Sequence, residues 1–166
     1  MSNINAYNKT ATPARKTAFL GLRVMGYPMA GHLALAGHQV TVYNRNAAKS
    51  AAWLQESSGD GGCAPAATQQ QTLKHADIVF CCVGNDDDLR AVTLGLQQGD
   101  GTRAGGGAFS GMKKGAIYVD HTTASASVAR ELHSIALAQG VQFIDAPVSG
   151  GQAGAQNGLL TVMCGG

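Results

Sequence analysis

From Thr17 onward, short apolar runs alternate with stretches of helical character, and this alternation restricts the fold more than any other property of the chain. The runs are TAFLG (17–21), QVTVY (39–43), ADIVFCCVG (76–84), AIYVD (116–120), VQFIDAPV (141–148) and LLTVM (159–163). Runs that are apolar at nearly every position belong to parallel strands covered on both faces. Strands that alternate with helices specify crossover units and a parallel sheet. The expected class is therefore α/β, doubly wound and mostly parallel, with helices on both faces and ligands at the carboxyl ends of the strands.

The connecting segments carry their own signals. The first helix opens near Gly26, with Pro28 in its first turn and Gly37 as its stop. Met29, Leu33 and Leu35 are expected on or near its inner face. Residues 46–56 read as a second helix capped by Asn46. A Gly-rich turn (59–62) precedes a short element near Cys63, and Thr68 is placed to cap a brief helix ending near His75. Asp86 and Asp87 suit a helix start, where negative charge complements the dipole. Residues 125–139 form an amphipathic helix stopped by Gly140, whereas 99–111 and 149–158 read as loops. Residues 1–16 are polar and aperiodic, the pattern of a flexible arm.

Composition removes several alternatives. A net charge of +2, with charged residues at only 13%, argues against nucleic acid or an anionic membrane as partner. No apolar run approaches the ~20 residues needed to span a bilayer. Cys63, Cys81, Cys82 and Cys164 form no C-x-x-C pair and have no His at zinc-ligand spacing, so no metal site is expected. Cys81 and Cys82 read as small buried residues in a strand, and reduced thiols imply a cytoplasmic protein.

Chemistry concentrates where the first strand meets the first helix. A dinucleotide-binding turn has the pattern G-x-G-x-x-G, and this chain has Gly21, Arg23 and Gly26 at the three positions. Gly21 permits the tight turn, Gly26 permits close helix–strand packing, and the helix amides face outward toward an anion. Arg23 stands where bare backbone normally meets the pyrophosphate. Its side chain either obstructs the phosphates or swings aside and pairs with one. Obstruction is the favoured outcome at this level, so that Arg23→Gly is expected to bind cofactor more tightly. At the end of the second strand, Tyr43-Asn44-Arg45 offers no carboxylate for ribose hydroxyls but an arginine for a 2′-phosphate, which favours NADP while leaving NAD possible.

The segments FLGLRVMGYPMAGHL, VYNRN, ADIVFCCVG, GAIYVDHTTAS and FIDAPVSGGQAGAQNGLLTVMCGG together resemble the N-terminal domain of the β-hydroxyacid dehydrogenases. This family includes 3-hydroxyisobutyrate dehydrogenase, tartronate semialdehyde reductase and, more distantly, 6-phosphogluconate dehydrogenase. The resemblance covers residues 17–166 and implies a Rossmann-type dinucleotide-binding domain. It implies that Gly21, Leu22, Arg23, Val24, Met25 and Gly26 form the pyrophosphate turn, and that Asn44 and Arg45 meet the adenosine ribose. Val83 and Gly84 would flank the cofactor, and Thr123 would lie beside the nicotinamide. Thr122, Ser149, Gly150 and Gly151 would meet the substrate, a small 3-hydroxy acid or its semialdehyde.

Family members continue into an all-helical domain that carries a catalytic lysine and builds the homo-oligomer. Lys9, Lys16, Lys49, Lys74, Lys113 and Lys114 match no such context, so no catalytic residue is assigned and the chain by itself is expected to turn over little. Other readings stay open on the residues alone. Thr122, Thr123 and Ser125 also suit helix capping, His121 a structural role, and Asp145 a strand end. A non-catalytic nucleotide-binding or interaction module of the same fold, inactivated by Arg23 and the absent domain, is the principal rival. An imine-reducing relative is disfavoured by the DAPVSGG loop.

Overall fold

The computed structural model describes residues 12–57, 63–65 and 69–166. The expected turn at 59–62, the Thr68 cap and most of the expected arm lie outside them. The first half of the chain comprises β1 (Lys16–Leu20), α1 (Gly26–Leu35), β2 (Gln39–Tyr43), α2 (Ala47–Ser57), β3 (Ala64–Pro65), α3 (Gln69–Leu73) and β4 (Ile78–Cys81). There follow α4 (Asp86–Leu94), β5 (Leu96–Gln97), β6 (Arg103–Ala104), α5 (Ala108–Gly111), β7 (Ile117–Asp120) and α6 (Ala126–Ala138). The chain ends with β8 (Gln142–Asp145), β9 (Val148–Ser149), α7 (Gly151–Asn157) and β10 (Thr161–Val162).

The main sheet has six strands in the order β3-β2-β1-β4-β7-β8, and every neighbouring pair is parallel. The chain winds outward from β1 to β3, crosses back to β4 on the other side of β1, and winds outward again to β8. That reversal opens a crevice at the carboxyl ends of β1 and β4, where the two connections leave in opposite directions. The Rossmann-type expectation is met.

Strand periodicity explains how both faces become dry. Successive β1 side chains point to opposite sides. Ala18 and Leu20 join a core with Leu73, Val79, Cys81, Leu89, Tyr118 and Leu132, while Phe19 joins Val40, Val42, Trp53 and Ala30 on the other face. On the first face Phe109, Tyr118 and Phe143 pack ring against ring, and the Tyr118 hydroxyl shares a hydrogen bond of 3.0 Å with Thr93. On the second, the Trp53 indole donates to the Tyr27 carbonyl at 3.1 Å and so ties α2 to α1. Burial pushes the Cys82 thiol up to about 11 and the Cys81 thiol well above its ordinary value, so both stay protonated packing groups.

Most helix starts follow from local sequence. The Asn46 side chain accepts from the Ala48 amide at 3.0 Å, Asn85 from the Asp88 amide at 2.9 Å, and Ser125 from the Val128 amide at 3.3 Å. Three expectations are corrected. Leu35 is 69% exposed, because small residues line the buried face of α1 (Gly26, Ala30 and Ala34) and hold it close to the sheet. The segment 99–111 is not all loop: β5 and β6 pair antiparallel and α5 follows, burying Ala108 and Phe109. The segment 149–158 contains α7, and LLTVM pairs antiparallel with β9 instead of extending the parallel sheet. Gly150 (φ 130°) and Gly158 (φ 66°) bound α7 in conformations open to glycine, and the Ala155 carbonyl bonds His32 Nε2 of α1 at 2.9 Å.

Candidate cofactor site

The turn after β1 is built on two glycines whose missing side chains are filled by backbone. Gly21 has φ 95°, and a Cβ there would lie 2.3 Å from the Cys82 carbonyl oxygen. A Cβ on Gly26 would lie 2.0 Å from the Gly21 oxygen. The Gly21 amide donates to the Tyr43 carbonyl at 3.0 Å, and the Leu22 amide to Asn44 Oδ1 at 3.0 Å. Asn44 is itself held by donation from Nδ2 to the Asn46 carbonyl at 3.1 Å. The next three amides, of Arg23, Val24 and Met25, donate to nothing among the described residues and stand at the amino end of ten-residue α1. Free amides with a favourable dipole are what an anion requires. Asn44→Ala should strand the Leu22 amide, costing about 1 kcal/mol and lowering the melting temperature by about 3 °C in calorimetry.

A cleft of about 290 Å³ opens beside this turn. It is lined by Gly21 and Arg23 after β1, by Tyr43, Asn44, Arg45, Asn46 and Lys49 around the end of β2, and by Val83, Gly84, Asp88 and Val92 after β4. Six residues singled out in the sequence (Gly21, Arg23, Asn44, Arg45, Val83 and Gly84) thus meet in one place. Leu22 is buried beneath the turn, Gly26 is buried where α1 begins, and Met25 packs on the second core cluster. Val24 is 61% exposed and lines a neighbouring cleft with Arg23, Lys49, Gln152 and Gln156, across which α7 faces the start of α1. Sequence reasoning missed Lys49, Asp88, Gln152 and Gln156 as lining residues. Lys49 left one signal, a basic residue in the first turn of the helix that follows Arg45.

The Arg23 side chain reaches toward the loop that follows β4. Its Nη1 lies toward Gly84, where a Cβ would be 2.7 Å away, and Asp88 Oδ2 approaches the same point at 3.0 Å. Asp88 Oδ1 accepts from Arg45 Nη2 at 3.0 Å. Arg23, Arg45 and Lys49 therefore surround a cleft that contains one carboxylate.

The remaining sequence-assigned residues lie after β7 and β8. Thr122 is 1% exposed; its Oγ1 accepts from the Val83 amide at 3.1 Å and fixes the loop that flanks the cleft. Thr123 is exposed. Ser149 ends β9, while Gly150 and Gly151 start α7; none of these residues lines the first cleft. Beside Thr122, His121 stacks on Phe80 and its Nδ1 bonds the Ala146 carbonyl at 2.8 Å, which accounts for it as a structural residue. Burial lowers its pKa. Asp120 is fully buried. Its Oδ1 accepts from the Thr122 amide at 2.9 Å, its Oδ2 has no partner among the described residues, and burial pushes its carboxyl up to about 6. Ser125, and not a threonine, caps α6. Among the described residues no cluster of His, Cys, Asp or Glu could hold a metal ion, and no helix is long and apolar enough to cross a membrane.

A sequence profile for the NAD binding domain of 6-phosphogluconate dehydrogenase matches residues 16–166. The chain belongs to this family. Among curated relatives of this NAD-binding domain, an uncharacterized oxidoreductase of Shewanella frigidimarina (strain NCIMB 400) is 54% identical over 151 residues, covering 91% of this chain and 47% of the relative. Among solved structures, Mycobacterium tuberculosis 3-hydroxyisobutyrate dehydrogenase with L-serine superposes with a TM-score of 0.77 at 28% identity, covering 92% of this chain and 47% of that one. Psf3 in complex with NADP+ and 2-OPP superposes with a TM-score of 0.75 at 26% identity, over 89% and 48% of the two chains. The chain spans about half the length of the curated relatives it matches. It is a nicotinamide-cofactor domain of a family of 3-hydroxyisobutyrate dehydrogenase-like oxidoreductases.

Proposed function

We propose that residues 17–166 form the NADP(H)-binding half of a dehydrogenase that moves hydride between the nicotinamide and a small 3-hydroxy acid or its semialdehyde. The observation that carries this reading is the set of amides of Arg23, Val24 and Met25, without partners among the described residues, beside a cleft lined by Arg23, Arg45 and Lys49. The pyrophosphate would sit on those amides. The Arg23 guanidinium, directed toward Gly84, would serve as a partner for it, so that Arg23→Gly weakens binding instead of tightening it. Arg45 and Lys49 would receive the 2′-phosphate, while Val83 and Gly84 would cover the cofactor. The exposed Thr123 hydroxyl would face the nicotinamide side, Thr122 would hold the covering loop, and Ser149, Gly150 and Gly151 would offer donors to a substrate carboxylate.

The nicotinamide supplies the hydride acceptor or donor; the residues described here bind and orient it. Melting the 166-residue chain with NADPH and with NADH tests the reading. A cofactor at 100 times its dissociation constant should add ~2.7 kcal/mol of stability. The absence of any shift with either cofactor at millimolar concentration would defeat the proposal. Arg45→Ala should raise the NADPH dissociation constant by about tenfold and leave that for NADH within about threefold, as removal of a charge-assisted phosphate contact predicts.

A further inference from the structure

The acidic run at the start of α4 is divided between two tasks. Asp86 accepts from the Ser125 amide at 2.9 Å and from its hydroxyl, joining α4 to α6. Asp87 faces Arg90 at 3.8 Å. Only Asp88 of this run lines the cofactor cleft, and it is held from two sides. Its own amide is held by Asn85, its side chain is 22% exposed, and its Oδ1 holds the largely exposed Arg45 guanidinium at 3.0 Å. Gly84, lacking a Cβ, lets Arg23 Nη1 and Asp88 Oδ2 converge on one point. A carboxylate thus occupies the cation that a phosphate on the adenosine ribose would need.

We propose that Asp88 is a specificity-determining residue that lowers the preference for a 2′-phosphorylated cofactor. It rests on the proposed cofactor reading. A 2′-phosphate must displace Asp88 from Arg45 and then lie near a retained negative charge. A ribose diol can instead donate to Asp88 and leave the ion pair in place. Asp88 therefore works against NADPH and is neutral or favourable toward NADH.

The test measures dissociation constants of NADPH, NADH, adenosine 2′,5′-bisphosphate and AMP for the wild-type chain and for Asp88→Asn. Asp88→Ala is a second variant that also removes the replacement hydrogen bond, and melting curves confirm that each is folded. Removing one charge this close to a phosphate should tighten NADPH and the bisphosphate by about tenfold, with NADH and AMP unchanged or weaker. A gain of NADPH binding in the variants from a wild type that binds none would also support it. Wild-type binding that is unaltered in the variants, or tightened equally for both cofactors, would overturn the role of Asp88 and leave the cofactor site standing. If neither wild type nor variants bind any of the four compounds, both the role and the site are overturned.

Discussion

Gly21→Ala is expected to cost at least about 3 kcal/mol, lower the melting temperature by about 10 °C, and abolish cofactor-dependent stabilisation. Two effects add at this position. The backbone has φ 95°, where a side chain is strained, and the new methyl would lie 2.3 Å from the Cys82 carbonyl oxygen. That carbonyl belongs to the segment leaving β4, so relief of the clash requires β1 and β4 to part at their carboxyl ends. Gly26→Ala adds no φ strain but puts a methyl 2.0 Å from the Gly21 oxygen, which would push α1 away from the turn. Gly31→Ala in the same helix is the control. A Cβ there meets nothing within 4 Å, and the gain in helix propensity should raise stability by up to about 1 kcal/mol. Thermal melts of the three variants with and without NADPH check the set; a Gly21→Ala protein as stable as wild type would refute the account of the turn.

The second large effect is the pH dependence removed by Asp120→Asn. Burial raises the Asp120 carboxyl from its ordinary value of 3.8 to about 6, against the opposing pull of its hydrogen bonding to Thr122 and with a smaller upward contribution from Asp145. The folded protein thus holds this proton more tightly than the unfolded chain does. The resulting stabilisation is whole below about pH 4 and is lost as pH rises through about 6. A displacement of about two pKa units corresponds to about 3 kcal/mol. The asparagine keeps an acceptor for the Thr122 amide and cannot ionise. The stability of Asp120→Asn relative to wild type should therefore rise by about 2–3 kcal/mol between pH 4 and pH 8. Partnered Asp77, Asp86 and Asp100 have lowered pKa values and the opposite pH dependence, but they are common to both proteins and cancel in the difference. A difference that stays flat over this range would mean that Asp120 is not held as an uncompensated buried acid.

The strands and their order of use were legible because β1, β2, β4, β7 and β8 are apolar enough to fill both faces of a sheet, and because cap residues such as Asn46 and Ser125 are local signals. The turn was legible for the same reason: Gly21 and Gly26 answer to backbone constraints a few residues away. Leu35 misled because a helix that must approach a sheet closely buries alanine and glycine, and a large apolar residue can then be left outside. The segment 149–158 misled because its Gly and Gln content hides a helix whose stability comes from packing on α1 and from the His32–Ala155 hydrogen bond, neither visible in its own residues.

The chain's sequence alone specified a doubly wound sheet, the two-glycine turn between β1 and α1 and a basic residue at the end of β2, since each depends on periodicity or on neighbours in the chain. Which direction Arg23 takes, that Asp88 holds Arg45 from 43 residues away, and that Asp120 is sealed in with one oxygen unpaired among the described residues were decided only by the tertiary fold. Those outcomes depend on distances across the crevice between separate strands, and on how much water the packed elements exclude, quantities that no local pattern encodes.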